Sequence, residues 1–290
     1  MVQAKLARLE ALLRGYGSCL VAYSGGVDSV FLAHVAYRCL GERAVAVIAD
    51  SPSLPRRELQ EALAIAQEFQ IPVKVVNTAE FADNRYLANP TNRCYFCKSA
   101  LFTELIPLAQ RMNLAVVVYG ENASDVGDHR PGAQAAAEFM VRSPLKEAGL
   151  TKAEIRELSA SAGLPTADKP QLACLSSRIP TGESVTPEKL RMVEEAEYAL
   201  RDCGFHDVRV RHHEVGGIAG TGGKASLARI EIGAEEMHRL FAGGLYQEVA
   251  GKMRAIGYNH VTLDLAGYRR GSTNGVTVDA PLSPIRLLKS

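Results

Sequence analysis

The chain has 290 residues, is 47% hydrophobic, and sets 33 Lys and Arg against 32 Asp and Glu, a formal charge of +1. That is enough apolar material for one large domain or two ordinary ones, and too little net charge for the field that gathers long nucleic acids, so any anion site has to be local. No apolar run reaches secretory or membrane-spanning length and six cysteines are too few for a secreted disulfide scaffold, so a soluble cytoplasmic protein with no membrane or stable nucleic-acid partner is expected.

The first stretch, MVQAKLARLEALLRGYG, spaces its leucines at the helical period among charges. Apolar strand-like runs then recur: CLVAY (19–23), AVAVIAD (44–50), PVKVVNT (72–78), AVVVYGEN (115–122) and FMVRSPL (139–145). Continuous Val, Ile and Ala runs suit a parallel sheet buried on both faces. The segments between them, 28–40, 55–69, 97–112 and 151–162, have helical period and crossover length. The expected fold class is α/β, a doubly wound parallel-sheet domain followed by a smaller α+β domain. In such a sheet a ligand lies beyond the carboxyl ends of the strands, where AYSGG, ADSPS and YGENASD fall.

Residues 163–187, GLPTADKPQLACLSSRIPTGESVTP, are dense in Pro, Gly, Ser and Thr and too long for a plain connection, so they read as a functional linker. A helix (187–203), two strands (HDVRVRHH and SLARIEIG), helical segments (234–256) and a further strand (HVTLDLAGY) follow. The tail from Arg269 has little periodicity. The expected divisions are 1–165, a linker 166–186 carrying Cys174, a second domain 187–268, and a tail 269–290.

Four sequence features carry chemistry. In AYSGGVDS, Ala22 to Ser29, a strand runs into a helix through two glycines, so the N–H groups of Gly25 and Gly26 can hold an anion at a helix N-terminus. Ser24 and Ser29 add hydroxyl donors, and Asp28 can hold Mg²⁺ or cap the helix. A glycine turn with an Asp cap is the plainer alternative. There is no GxxxxGK[ST], so the loop lacks the lysine of γ-phosphate transfer.

In NPTNRCYFCK, Cys94 and Cys97 stand at i, i+3 near a helix start, where thiolate is favoured. A redox dithiol, half a zinc site and part of an iron-sulfur site all fit that spacing. The adjacent His212 and His213 do not have zinc-ligand spacing. Cys174, in the linker, supplies a third thiol, and three thiolates can bind a cubane cluster that leaves one iron open to sulfide. Cys19, Cys39 and Cys203 read as inert thiols in a strand and helices.

SGGVDS resembles the pyrophosphate-binding loop of the N-type ATP pyrophosphatases, which cleave ATP between the α and β phosphates to adenylate a substrate oxygen. Together with ADSPSLPRREL, NPTNRCYFCK, GENASDVGDHRPG, LPTADKPQLACLSSRIP and VRVRHH, it resembles the LarE family, ATP-dependent sulfur transferases of nickel-pincer nucleotide biosynthesis. That resemblance covers most of the chain to about residue 235. It implies ATP and Mg²⁺ as cofactors, and a small-molecule substrate, pyridinium-3,5-biscarboxylic acid mononucleotide, whose carboxylate is adenylated and given sulfur. It also implies a homo-hexamer. In single-cysteine members the cysteine at the Cys174 position is consumed and becomes dehydroalanine. The presence of Cys94 and Cys97 beside it instead resembles the three-cysteine branch, in which a [4Fe-4S] cluster carries the sulfur and all three cysteines are ligands. A tRNA thiolase and a non-catalytic iron-sulfur carrier are the competing readings.

The resemblance places Gly120, Asn122, Asp125 and Arg130 on the nucleotide side, with Glu121 and His129 standing where a smaller polar residue and an aromatic are expected. Asp50 can meet ribose or adenine, or make an Asp-Ser-Pro turn. Lys98 is a phosphate or substrate partner, or a solvated helix residue. Arg209 and Arg211 alternate along one strand and share a face, as a substrate phosphate needs, or simply form a polar face. Arg178 can neutralise charge developing on an adenylate. Glu197 and Glu231 are further substrate or metal candidates, which a helix surface and a polar strand face also explain.

Overall fold

The computed structural model describes residues 2–125, 131–170, 173–216 and 224–268. They divide between Cys174 and Leu175 into two compact units, a division that falls inside the 166–186 linker segment.

The first unit runs α1 (Val2–Tyr16), β1 (Cys19–Ala22), α2 (Val27–Leu40), β2 (Ala44–Asp50), α3 (Arg56–Glu68), β3 (Val73–Asn77), α4 (Asn84–Leu87), α5 (Arg93–Arg111), β4 (Val116–Tyr119), α6 (Pro131–Glu138), α7 (Pro144–Glu147) and α8 (Lys152–Ser161). The sheet is parallel throughout, in the order β3-β2-β1-β4, with Val21 opposite both Ala46 and Val118. Alternation along β1 sends side chains to two separate cores. Cys19 and Val21 join Leu9, Leu13, Phe31 and Ile155 of α1, α2 and α8, whereas Leu20 and Ala22 join Phe102, Leu105 and Ala135 of α5 and α6. Helices therefore cover both faces, the doubly wound α/β class the sequence predicts. Two-sided burial holds for β1 and most of β2; β3 lies at the edge and leaves Val75 49% exposed.

One expected strand is almost absent. The run FMVRSPL contributes only a single bridge, Arg142 beside Val118. Met140 takes a left-handed φ of 55° and closes α6, with the Val141 N–H donating back to Ala136 at 2.8 Å. Pro144, which has no N–H, then opens α7. Too few residues remain between these stops for a ladder.

The second unit contains α9 (Pro187–Asp202), β5 (Val208–Val215), β6 (Ala225–Ile232), α10 (Leu245–Ile256) and β7 (His260–Leu263). Its sheet is β5-β6-β7, antiparallel then parallel. Thr186 caps α9 and Pro187 occupies its first turn, a favoured start that fixes the chain direction. The apolar stripe of α9, including Ala196 and Leu200, packs with Val208, Val210, Ala228 and Met253 in a core of its own. The 269–290 tail lies outside the described residues. Among those described, no helix is long and apolar enough to cross a membrane.

Candidate active site

β1 ends at Ala22 and α2 begins at Val27, so Tyr23 to Gly26 form the turn at the sheet's carboxyl edge. Gly25 has φ +72°, and a Cβ there would lie 2.7 Å from the Ala62 methyl of α3, so both conformation and space require glycine. Gly26 is the residue before α2 and has no side chain to cover the helix N-terminus. Ser29 Oγ accepts from the Ser24 N–H at 3.1 Å, lies 3.1 Å from Ser24 Oγ, and donates to the Gly26 carbonyl at 3.0 Å. The two hydroxyls thus brace a loop whose amides can point at an anion.

β4 delivers the facing wall. A Cβ on Gly120 would lie 3.0 Å from Ser29 N and 3.1 Å from the Asp28 carbonyl carbon, so glycine lets this strand end come close to the start of α2. Asn122, buried, points its Nδ2 at Asp28 Oδ1 at 3.5 Å, and its N–H donates to Asp125 Oδ2 at 3.1 Å. Asp28 itself accepts from Lys152 Nζ at 2.6 Å. Burial pushes its carboxyl above the usual range, and Lys152 pulls it partly back. Glu121 is buried but carries its own counter-charge: the Tyr119 hydroxyl donates to it and Lys146 Nζ lies 3.0 Å away. That pairing accounts for an acid where the family pattern leads one to expect a smaller group. Arg130 and His129 lie outside the described residues. Asp50 is tied to Arg56, whose guanidinium also donates to the Ser51 and Leu54 carbonyls at 2.6 and 2.8 Å, an arrangement that fixes the turn after β2.

α5 starts at Arg93, which places Cys94 in its first turn and Cys97 at the next. Cys94 and Cys174 are exposed and Cys97 is half-buried. Desolvation by the atoms packed around the sulfurs, felt even at Cys94 although that residue as a whole is exposed, and then the charge of Cys174 push both α5 thiols up, Cys97 to about 12. The three sulfurs are thus near enough to feel one another. Arg93 Nη2 donates to Cys174 Sγ at 3.9 Å. Among the described residues, however, no three His, Cys, Asp or Glu side chains are gathered as a metal site. Lys98 follows on the same helix, its ammonium 5.8 Å from the ring centres of both Phe102 and Tyr119 and its stem against Gly132. Burial lowers its pKa, opposed by Cys97 and Cys94.

In the second unit, Arg178 Nε and Nη2 grip the two oxygens of Glu197 at 2.9 and 3.1 Å, and both residues are buried. Arg211 makes the same fork with Glu231, at 3.0 Å twice, and donates to the Ser177 carbonyl. Arg209 differs. Its guanidinium lies 4.8 Å from the Tyr268 ring centre and, among the described residues, donates to its neighbour's carbonyl, Val208 O, at 2.7 Å. Burial and the charge of Arg178 depress its pKa. Of these arginines, Arg209 is the desolvated cation that an anion would relieve most.

A family model described as NAD synthase matches residues 6–91. An uncharacterized protein of Synechocystis sp. is 44% identical over 276 residues, covering 95% of this chain and 99% of that one. The pyridinium-3,5-bisthiocarboxylic acid mononucleotide synthase of Lactiplantibacillus plantarum is 31% identical over 280 residues, 96% of this chain and 97% of that one. The chain belongs to that family, the LarE family. It is an ATP-dependent sulfurtransferase of the PP-loop group. A chain of the glutamine-hydrolysing GMP synthase of Thermococcus kodakarensis is more remote, 26% identical over 204 residues and 65% of each chain.

This LarE-family chain holds site groups that its motifs do not announce. Lys152 on Asp28 is one, and Arg93 beside Cys174 is another. A third is Glu80, 2% exposed, which accepts from Ser51 while its Oε2 has no hydrogen-bond partner among the described residues. Glu80 adds to the upward push on Cys97. Lys152 had a readable signal: Thr151 and Glu154 spell a T-x-x-E capping box, which puts a lysine at the first helical position, where the helix dipole disfavours a cation.

Proposed function

We propose that this enzyme adenylates a carboxylate of pyridinium-3,5-biscarboxylic acid mononucleotide and replaces an oxygen with sulfur, releasing AMP and pyrophosphate. A carboxylate oxygen attacks the α phosphorus of ATP and pyrophosphate leaves. A sulfur nucleophile then attacks the carbonyl carbon, and AMP departs with the oxygen. The observation that carries this reading lies within the first unit: a lysine-free, glycine-bound anion loop stands at the carboxyl edge of the same sheet whose α5 bears two thiols within electrostatic reach of Cys174. The loop amides with Ser24 and Ser29 hold pyrophosphate, and Asp28 with Asn122 and Asp125 serves Mg²⁺ and the nucleotide phosphates. Lys98 and Arg209 serve the substrate, Arg209 as the partner of its phosphate. Within the second unit, the Arg178–Glu197 pair ties the Leu175–Arg178 turn to α9, and the Arg211–Glu231 pair ties β5 to β6.

The thiols match a [4Fe-4S] ligand set in type and number. Burial and neighbouring charge raise the pKa values of Cys94 and Cys97, and ligation, which binds thiolate, would displace those protons. Such a cluster, when bound, supplies a store of transferable sulfide. Cys94, Cys97 and Cys174 would hold it, and Arg93 would balance the charge at Cys174. A second reading keeps the same reaction but makes Cys174 the consumed sulfur donor; its side chain is exposed and the Arg93 guanidinium lies 3.9 Å from its sulfur. We further propose a homo-hexamer, on the family resemblance alone, working in the cytoplasm, as the cysteine count and the absence of a long apolar run in the sequence suggest.

Pyrophosphate release tests the adenylation. Under anaerobic conditions, ATP with the pyridinium substrate is expected to yield pyrophosphate, and ATP alone is not. Tight, salt-sensitive binding of tRNA with no response to the pyridinium mononucleotide would replace this substrate by an RNA, and a protein that releases no pyrophosphate with either is a carrier.

A further inference from the structure

Among the described residues the buried acids are Glu80, Glu121, Glu197 and Glu231. Three of them carry a cation of their own: Lys146 pairs with Glu121, Arg178 with Glu197 and Arg211 with Glu231. Glu80 does not. Ser51 donates to its Oε1, its Oε2 has no hydrogen-bond partner, and no lysine or arginine among the described residues pairs with it. A buried carboxylate without a counter-charge is costly, so its presence calls for a cation that the folded chain does not itself supply.

The place of Glu80 indicates which cation that is. It opens the 3₁₀ turn Glu80–Ala82 between β3 and α4, and its partner Ser51 directly follows the last residue of β2, so the carboxylate lies at the carboxyl edge of the sheet, the edge that carries the anion loop. Ser51 Oγ accepts from the Ser53 N–H at 3.1 Å, which leaves its own proton for Glu80. The charge of Glu80 also reaches Cys97 on α5, where it opposes a thiolate. The thiols therefore gain nothing from it, and neither do ATP and pyrophosphate, which are anions. In the proposed reaction one organic cation comes to this edge: the pyridinium ring, whose quaternary nitrogen is permanently charged and which bears the carboxylate that receives sulfur.

We infer that Glu80 is a specificity residue for the charge of that ring: its carboxylate is the counter-charge of the pyridinium cation and selects it over uncharged aromatic acids of the same shape. The inference rests on the substrate proposed above. The attraction does not need contact, because a unit charge held among buried groups is felt across several ångström that water does not screen. It also orients the ligand. A cation drawn towards Glu80 is drawn to the side of the sheet edge where Cys97 stands, and the ring carboxylate that must meet sulfur travels with it.

Calorimetric titration of the full chain tests this without turnover, using pyridinium-3,5-biscarboxylic acid mononucleotide and its C-nucleotide analogue, in which a benzene ring replaces the pyridinium while both carboxylates and the phosphate are kept. The wild-type protein is expected to bind the pyridinium compound about tenfold or more tightly than the benzene analogue. Glu80→Gln, which keeps the size and the hydrogen bond to Ser51 but removes the charge, is expected to reduce that preference to about twofold and to leave Mg²⁺-α,β-methylene-ATP affinity within about twofold, whereas Glu80→Asp keeps most of the preference. If the glutamine variant does not fold, the double change Ser51→Ala, Glu80→Ala, which removes both partners of the bond, carries the same expectation. An unchanged preference in the neutral variant overturns the inference, as does equal weakening of both mononucleotides, which would mark a carboxylate that merely braces the turn. Loss confined to the Mg²⁺-nucleotide overturns it in favour of a metal ligand. A wild-type protein that binds both mononucleotides equally overturns it while leaving the proposed substrate standing, and one that binds neither overturns the substrate itself.

Discussion

Gly25 meets two demands at once, a left-handed backbone and the absence of a methyl where Ala62 already stands 2.7 Å away. Gly25→Ala is therefore expected to destabilise the protein by about 2 kcal/mol or more and to raise the Kd for Mg²⁺-ATP, as read by urea unfolding and calorimetry. His212 makes a prediction of the opposite kind, about pH. It is buried against Tyr258, and desolvation holds its pKa down at about 4 from an ordinary 6.5. Below pH 6.5 the unfolded chain takes up a proton that the folded imidazole refuses, so stability falls as pH drops from about 6.5 towards 4 and levels beneath it. The full shift corresponds to roughly 3 kcal/mol. His34 and His213 are depressed by burial as well and add to the same slope. His212→Phe is expected to flatten part of the dependence of the urea midpoint between pH 7 and 4.5; an unchanged slope would refute this role for the imidazole.

At the scale of elements, buried ion pairs decide how the second unit is held. Arg178 on the 3₁₀ turn Leu175–Arg178 is locked to Glu197 on α9, and Arg211 on β5 to Glu231 on β6. Arg178→Met leaves Glu197 buried with its fork removed and is expected to cost about 3–5 kcal/mol, with the double change Arg178→Met, Glu197→Met recovering a measurable part of it. In α8, Thr151→Ala removes the capping box and is expected to cost about 1 kcal/mol in thermal or urea unfolding. Most elements were legible in the sequence because their signals are local. β1 and β2 are continuous apolar runs, and α3 and α5 have an unbroken helical period. FMVRSPL misleads for an equally local reason, since apolar content says nothing of the left-handed stop at Met140, and Pro144 cuts the run from the other end. The candidate site divides in the same way. SGGVDS and the cysteines are contiguous patterns that chemistry makes readable. The Lys152 contact with Asp28 joins residues 124 positions apart, and the commitment of Arg211 to Glu231 depends on a strand pairing that no single segment reveals.

Across the whole molecule, the glycine-bound loop proposed to hold pyrophosphate and three thiols belong to one unit, and the arginine proposed to meet the substrate's phosphate belongs to the other. In the proposed reaction sulfur reaches an adenylated carboxylate while the three cysteines survive as ligands. Cys94→Ala is accordingly expected to abolish sulfur transfer but keep pyrophosphate release within about twofold, because the thiol takes no part in the hydrogen bonds that brace the loop. The sharpest experiment is an anaerobic single turnover of the iron- and sulfide-reconstituted protein with ATP and the pyridinium mononucleotide, followed by mass analysis of both product and protein. The expected result is a thiocarboxylated product, AMP and pyrophosphate, with the protein mass unchanged. A loss of one H₂S from Cys174 for each product formed would refute cluster-borne sulfur and make that cysteine the source.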